Sequence, residues 1–269
     1  MNTQSAIGVF DSGVGGLTVV KEIMRQLPGE NMIYFGDTAR VPYGSKSKST
    51  VLKYSRQIVH FLMKQDVKAI VVACNTASAL ALNEIKEEIE IPIIGVVEPG
   101  ARMAAETTKT NVIGVIGTES TIKSVIYTKF LRKINPDITV VSRACPLFCP
   151  LVEEGLLEDR ITDDVIERYL HELKEYGIDS LVLGCTHYPL IRNAIGRYMG
   201  GGVKLVNPAY ETAKSLKTML KEQELLNKSG LPVQYEYYVS DGVDQFIAFA
   251  SRVLPCHVEK AGIIDIESY

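Results

Sequence analysis

The sequence predicts an α/β protein made of two pseudo-symmetric domains, each a mainly parallel sheet flanked by helices, with a functional cleft between them. Short Val- and Ile-rich runs alternate with segments of helical period, which is the pattern of βα units. The pattern restarts near residue 112. The two passes also share strand-end residues in the same order, so a duplicated unit explains them better than two unrelated sheets.

Residues 7–10, 32–35, 69–73 and 93–97 read as buried strands, each followed by helix-like spacing. A helical turn or two over residues 100–108 leads into the second pass, with strands at 112–116, 138–142, 181–183 and 203–206. Residues 7–12 (IGVFDS) align with 113–118 (IGVIGT) at an offset of 106. Residues 69–74 (AIVVAC) align with 180–185 (SLVLGC) at an offset of 111, and 97–99 (VEP) with 206–208 (VNP) at an offset of 109. Cys74 and Cys185 therefore end equivalent strands. In open α/β sheets, ligands sit at the carboxyl ends of strands, so the two thiols are expected to face one cleft from opposite sides.

Composition narrows the function. Of 269 residues, 46% are hydrophobic and 23% charged, enough for one large core or two smaller ones. The 29 Lys and Arg against 32 Asp and Glu leave a net charge of −3 with no basic arm, which makes nucleic acid a poor partner. No apolar run reaches the roughly 18 residues of a membrane span, and residues 1–13 carry no signal-peptide pattern. A cytoplasmic protein without a membrane partner is expected. Five scattered cysteines are unlike a disulfide framework, so reduced thiols are expected.

A cysteine where a strand enters a helix meets the positive end of the helix dipole, which favours thiolate. The contexts of Cys74 and Cys185 can both lower a thiol pKa. Asp11 ends the first strand and His187 follows Cys185 by two residues, so each thiol has a titratable group at hand. His60, His171 and His257 have no comparable neighbours. The loop Asp11-Ser12-Gly13-Val14-Gly15-Gly16 is expected to present N–H groups to a carboxylate, since neither nucleotide-binding glycine spacing is met. Gly117-Thr118-Glu119-Ser120-Thr121 is its counterpart, and residues 37–44 read as an ordered loop at the same edge. Cys145 and Cys149 lack the second pair or histidine of a structural zinc site and are expected to be structural.

Two acid/base groups of one type flanking a small substrate suit removal of a proton from one face of a carbon and its return to the other. A Cys-His hydrolase would leave the second cysteine unexplained. Four segments then carry a resemblance: Asp11-Ser12-Gly13-Val14-Gly15-Gly16-Leu17, Pro42-Tyr43-Gly44, Ala73-Cys74-Asn75-Thr76-Ala77 and Gly184-Cys185-Thr186-His187-Tyr188-Pro189-Leu190. They resemble the motifs of the bacterial glutamate racemases, cofactor-independent members of the aspartate/glutamate racemase superfamily.

The resemblance implies that Cys74 acts on D-glutamate and Cys185 on L-glutamate, with Asp11 assisting the first thiol and His187 the second. Glu153 matches a further acidic residue near Cys185. Ser12, Tyr43, Gly44, Asn75, Thr76 and Thr186 match substrate-holding positions, with Thr118 and Thr121 on the second half. Asp11 and His187 are counted with them. It also implies residues 1–97 plus 210–269 as one domain and 98–209 as the other, a homodimer, and D-glutamate supplied for peptidoglycan. Cys149 stands where an aliphatic residue is expected, a departure expected to touch local packing only. Pyridoxal phosphate would need a lysine, and none lies inside the four motifs, so neither cofactor nor metal is expected. Three alternatives stay open at this point. They are an aspartate or other amino-acid racemase, a non-catalytic module binding an acidic ligand, and a metal-dependent hydrolase with Asp11, Cys74, Cys185 and His187 as ligands.

Overall fold

The computed structural model describes residues 2–269. Its two sheets are parallel throughout, because every strand in each is separated from its neighbour by a crossover. The first pass forms β1 (Ala6–Asp11), β2 (Met32–Gly36), β3 (Val67–Val72) and β4 (Ile93–Gly95), and the second β5 (Val112–Gly117), β6 (Thr139–Ala144), β7 (Ser180–Gly184) and β8 (Lys204–Val206). Two later strands, β9 (Tyr235–Val239) and β10 (Gly262–Ile263), follow in the tail. The sheets run β10-β9-β2-β1-β3-β4 and β6-β5-β7-β8. Each thus contains the order second-first-third-fourth.

The register repeats as well. Gly8 pairs with Ile70 and Phe10 with Val72 in the first sheet; Gly114 pairs with Leu181 and Ile116 with Leu183 in the second. These are the same pairs displaced by the offsets of 106 and 111 seen in the sequence. Near-continuous apolar strands such as β3 and β7 are buried along their whole length, as a sheet covered by helices on both faces requires.

Some boundaries move. The expected strand 93–97 stops at Gly95, and Val97 opens a helix, Val97–Thr107, longer than the turn or two read from residue 100. Pro99 lies in its first turn, where a missing N–H breaks no bond. Its counterpart Pro208 opens the helix Pro208–Glu222, capped by the Asn207 side chain accepting from the Ala209 N–H at 3.1 Å. Neither β9 nor β10 is evident in the periodicity. The Tyr-rich β9 buries only Tyr237 and Val239 and exposes Glu236, and what makes it a strand is its parallel pairing with β2.

A buried ion pair joins distant parts of this scaffold. Lys68 on β3 and Glu30 are both essentially inaccessible, with Nζ and Oε2 2.5 Å apart. Lys68 also donates to the Thr3 carbonyl, and Glu30 Oε1 accepts from the Asn227 N–H at 2.8 Å, tying the returning tail to the first sheet. No helix among the described residues is long and apolar enough to cross a membrane.

Candidate active site

The carboxyl ends of β1, β3, β5 and β7 converge on one cavity. Its walls include Ser12, Tyr43, Gly44, Cys74, Asn75, Thr76, Thr118, Glu153, Cys185, Thr186 and His187. Cys74 and Cys185 are thus brought to a single space, both as free, buried thiols. The halves touch closely around them. A Cβ on Gly15 would lie 2.4 Å from Thr186 Oγ1 and 2.6 Å from His187 Nδ1, and one on Gly44 would lie 2.6 Å from Thr118 Cβ. Only glycine permits those approaches. Thr18 Oγ1 adds a bond across the halves to the Thr186 carbonyl at 3.0 Å.

Cys74 caps the helix Asn75–Leu80, its Sγ accepting from the Ala77 N–H at 3.4 Å and donating to Ser12 Oγ at 3.5 Å. The Ala77 N–H, and the Ser12 hydroxyl when it turns to donate to a charged sulfur, favour thiolate. They do not prevail. Burial, then the nearby Asp11 charge, push the Cys74 thiol up to about 12. Desolvation outweighs one short helix end.

Asp11 departs from expectation. Instead of leaving the glycine-rich loop free for a ligand carboxylate, its own Oδ2 accepts from the Gly13 N–H at 3.0 Å. Burial raises its pKa, against the neighbouring His187 and the backbone N–H groups of Gly16, Gly13 and Ser12. Its Oδ1 is buried without a partner, and Asp11 itself is fully buried and not on the cavity wall.

Cys185 lies between β7 and a 3-10 turn, Tyr188–Ile191, so it has no α-helix immediately after it. Its Sγ is 3.6 Å from Cys149 Sγ and 3.8 Å from His187 Nδ1. The shared hydrogen bond with Cys149, then burial, raise Cys185 well above the usual thiol value, while His187 works the other way. Here too the shift is upward. Burial opposes charge on His187, yet its bonds to Cys185 and Glu153 lift the imidazole to about 10. Glu153, at the end of the helix Phe148–Glu153, reaches His187 Nε2 at 2.9 Å.

Hydroxyls and amides line the remaining wall. Thr76 and Thr118 stand on it and the buried Thr121 does not; the three form a triangle across the halves with Oγ1 separations of 2.9, 3.2 and 3.0 Å. Asn75 Oδ1 accepts from Tyr127 at 2.7 Å, which leaves its amide N–H groups for the cavity. Tyr43 faces the cavity, but its hydroxyl donates to Asp37, which also binds Arg40 and Ser240. Its ring and the Gly44 backbone remain.

One residue set aside by the sequence argument belongs here. Cys149 lines the cavity against Cys185, so it is not merely a packing residue. The only signal for it was chemical, a thiol replacing an aliphatic side chain. The hydrolase ligand set is not assembled: the metal-capable cluster among the described residues is Cys149, Cys185 and His187, without Cys74 or Asp11.

The Asp/Glu/hydantoin racemase family model matches residues 7–216. A glutamate racemase of Geobacter metallireducens is 53% identical over 249 residues, 93% of this chain and 92% of that protein. The glutamate racemase RacE1 of Bacillus anthracis superposes with a TM-score of 0.95 at 40% identity, covering 98% of both chains. That of Francisella tularensis, solved with D-glutamate, gives 0.93 at 40% identity over 99% of this chain and 100% of the other. With a parallel duplicated scaffold and full-length likeness on both measures, this chain belongs to the Asp/Glu/hydantoin racemase family, enzymes of the isomerase class.

Proposed function

We propose that this chain interconverts L- and D-glutamate by a two-base mechanism on Cys74 and Cys185, without a cofactor. The observation carrying the proposal is that two free cysteines, ending equivalent strands of the two halves, line one polar cavity. The glutamate racemase relatives support the substrate, and D-glutamate bound to one of them supports the cavity's size class.

In this reading the thiolate on one side takes the Cα proton while the thiol on the other delivers its own to the opposite face. The product leaves with inverted configuration and the enzyme with its proton on the other sulfur. Cys185 acts on L-glutamate and Cys74 on D-glutamate. Both thiols start high in pKa, so deprotonation must be coupled to binding. The substrate ammonium, held in the cavity within the field of the buried Asp11 carboxylate, brings a positive charge next to Cys74 and favours its thiolate. His187, protonated at neutral pH, does the same for Cys185. Asn75, Thr76, Thr118, Thr121, Thr186, Ser12 and the Tyr43–Gly44 backbone orient the carboxylates and stabilise charge as the carbanion forms. Residues 1–97 with 210–269 and 98–209 serve as the two halves, a division supported by β9 and β10 joining the first sheet. The product would feed peptidoglycan synthesis in the cytoplasm.

The test is optical rotation or circular dichroism from each enantiomer in deuterated solvent, with aspartate beside glutamate. Racemisation of glutamate with deuterium at Cα is expected from both sides. Faster turnover of aspartate, or binding without exchange, would overturn the proposal. A second expectation concerns pH. Glu153 holds the proton on His187, so Glu153→Gln lets burial pull the imidazole pKa below about 10. The alkaline limb of kcat/KM, read from the L-enantiomer, then moves to lower pH.

A further inference from the structure

Cys149 is not needed by the mechanism above, yet it sits beside the thiol that mechanism assigns to L-glutamate. We infer that Cys149, Cys185 and His187 form a binding site for a thiophilic divalent cation, zinc foremost, that reversibly shuts the enzyme off. The metal-binding claim stands on geometry alone; the inhibition rests on the racemase reading.

Two sulfurs and an imidazole nitrogen at zinc-bond length from a tetrahedral ion stand about 3.8 Å apart for S···S and about 3.6 Å for S···N. Here Cys149 Sγ and Cys185 Sγ are 3.6 Å apart, and Cys185 Sγ and His187 Nδ1 3.8 Å. All three atoms lie within 4.8 Å of one another, so only Cys149 and His187 need to draw closer. The histidine is also prepared. With Nε2–H donating to Glu153 at 2.9 Å, Nδ1 faces the sulfurs and, on losing its proton to solvent, offers its lone pair to the ion, which is the carboxylate–histidine–metal arrangement of zinc proteins.

Charge favours the same occupant. Binding releases three protons to solvent, one from each thiol and one from His187 Nδ1, and two thiolates plus a neutral imidazole cancel the dication, leaving a neutral complex in a buried place. The fourth position opens to the cavity, where water completes the shell. Soft sulfur ligands select zinc over magnesium or calcium. A bound ion takes the lone pairs of Cys185 and His187 and stands where the substrate would go. Glutamate and zinc should therefore compete.

The experiment uses the full chain, reduced with a phosphine and freed of metal, titrated with Zn²⁺ against a chromophoric chelator. One Zn²⁺ per chain is expected. Cys149→Val and Cys149→Ser should weaken it at least about 100-fold, and Glu153→Gln about 10-fold, in line with losses of a ligand and of a group orienting one. Co²⁺ in place of Zn²⁺ should show thiolate-to-metal charge-transfer absorption in the wild type and a weaker band in Cys149→Ser. Racemisation by the wild type should fall with one equivalent of Zn²⁺ and return with chelator, each variant being compared with its own metal-free rate. Equal zinc affinity in the wild type and both Cys149 variants, or a cobalt complex without the thiolate band, would overturn the site. A metal-free wild type that does not racemise glutamate removes the proposed function instead, and the zinc stoichiometry still decides the site.

Discussion

Replacing Cys74 or Cys185 with alanine is expected to lower kcat for racemisation by at least about 10³-fold in both directions, within the range general acid–base groups contribute. Each direction needs one sulfur as base and the other as acid, so losing either stops both. Proton exchange behaves differently. A remaining thiol can still remove and return the proton on its own face, so Cys74→Ala should exchange deuterium into L-glutamate alone and Cys185→Ala into D-glutamate alone. That split separates a lost acid/base from a collapsed cavity, which would end both exchanges. An alanine variant that interconverts the enantiomers at the normal rate would remove the two-base mechanism. The structural ground for the expectation is that both thiols are buried and line one cavity.

The largest stability effect is expected far from that cavity. Lys68 and Glu30 are both essentially inaccessible, and removing either partner leaves an uncompensated charge in the core. Lys68→Met or Glu30→Gln alone should cost about 3–5 kcal/mol of unfolding free energy, measured by urea titration. The double change Lys68→Met with Glu30→Leu should recover most of that loss, because an apolar pair of similar volume restores packing without a buried charge. Glu30→Gln should also loosen the tail at Asn227, whose N–H now binds Glu30 Oε1 at 2.8 Å. Hydrogen exchange at that amide would report it. Two single variants as stable as the parent would show the pair to be dispensable.

Much of this architecture is legible from local pattern. A buried parallel strand needs an unbroken apolar run, which marks interior strands such as β1, β3, β5 and β7, while the edge strands β6 and β8 show only as shorter Val- and Leu-containing runs. The repeat is legible for a further reason. Equivalent strands in equivalent places need equivalent residues, so the offset of Cys74 to Cys185 reappears in the strand register. β9 escapes because its Tyr-rich sequence is recruited by the exposed edge of β2, more than 200 residues away in the chain. The thiol pKa values escape because a motif reveals a helix end but not how deeply it is buried.

The succession of strands along the chain, the correspondence of Cys74 with Cys185 through a repeated local pattern, and the placing of Asp11 and His187 at or just after strand ends are read from short stretches of sequence. Side-chain period and turn chemistry act over a few positions, so a linear reading reaches them. The close approach of Cys149 to Cys185, the occupation of the glycine loop by Asp11 itself, and the engagement of the Tyr43 hydroxyl by Asp37 were decided by packing. Those contacts depend on which surfaces the folded halves press together and on which polar groups are left to satisfy once water has gone.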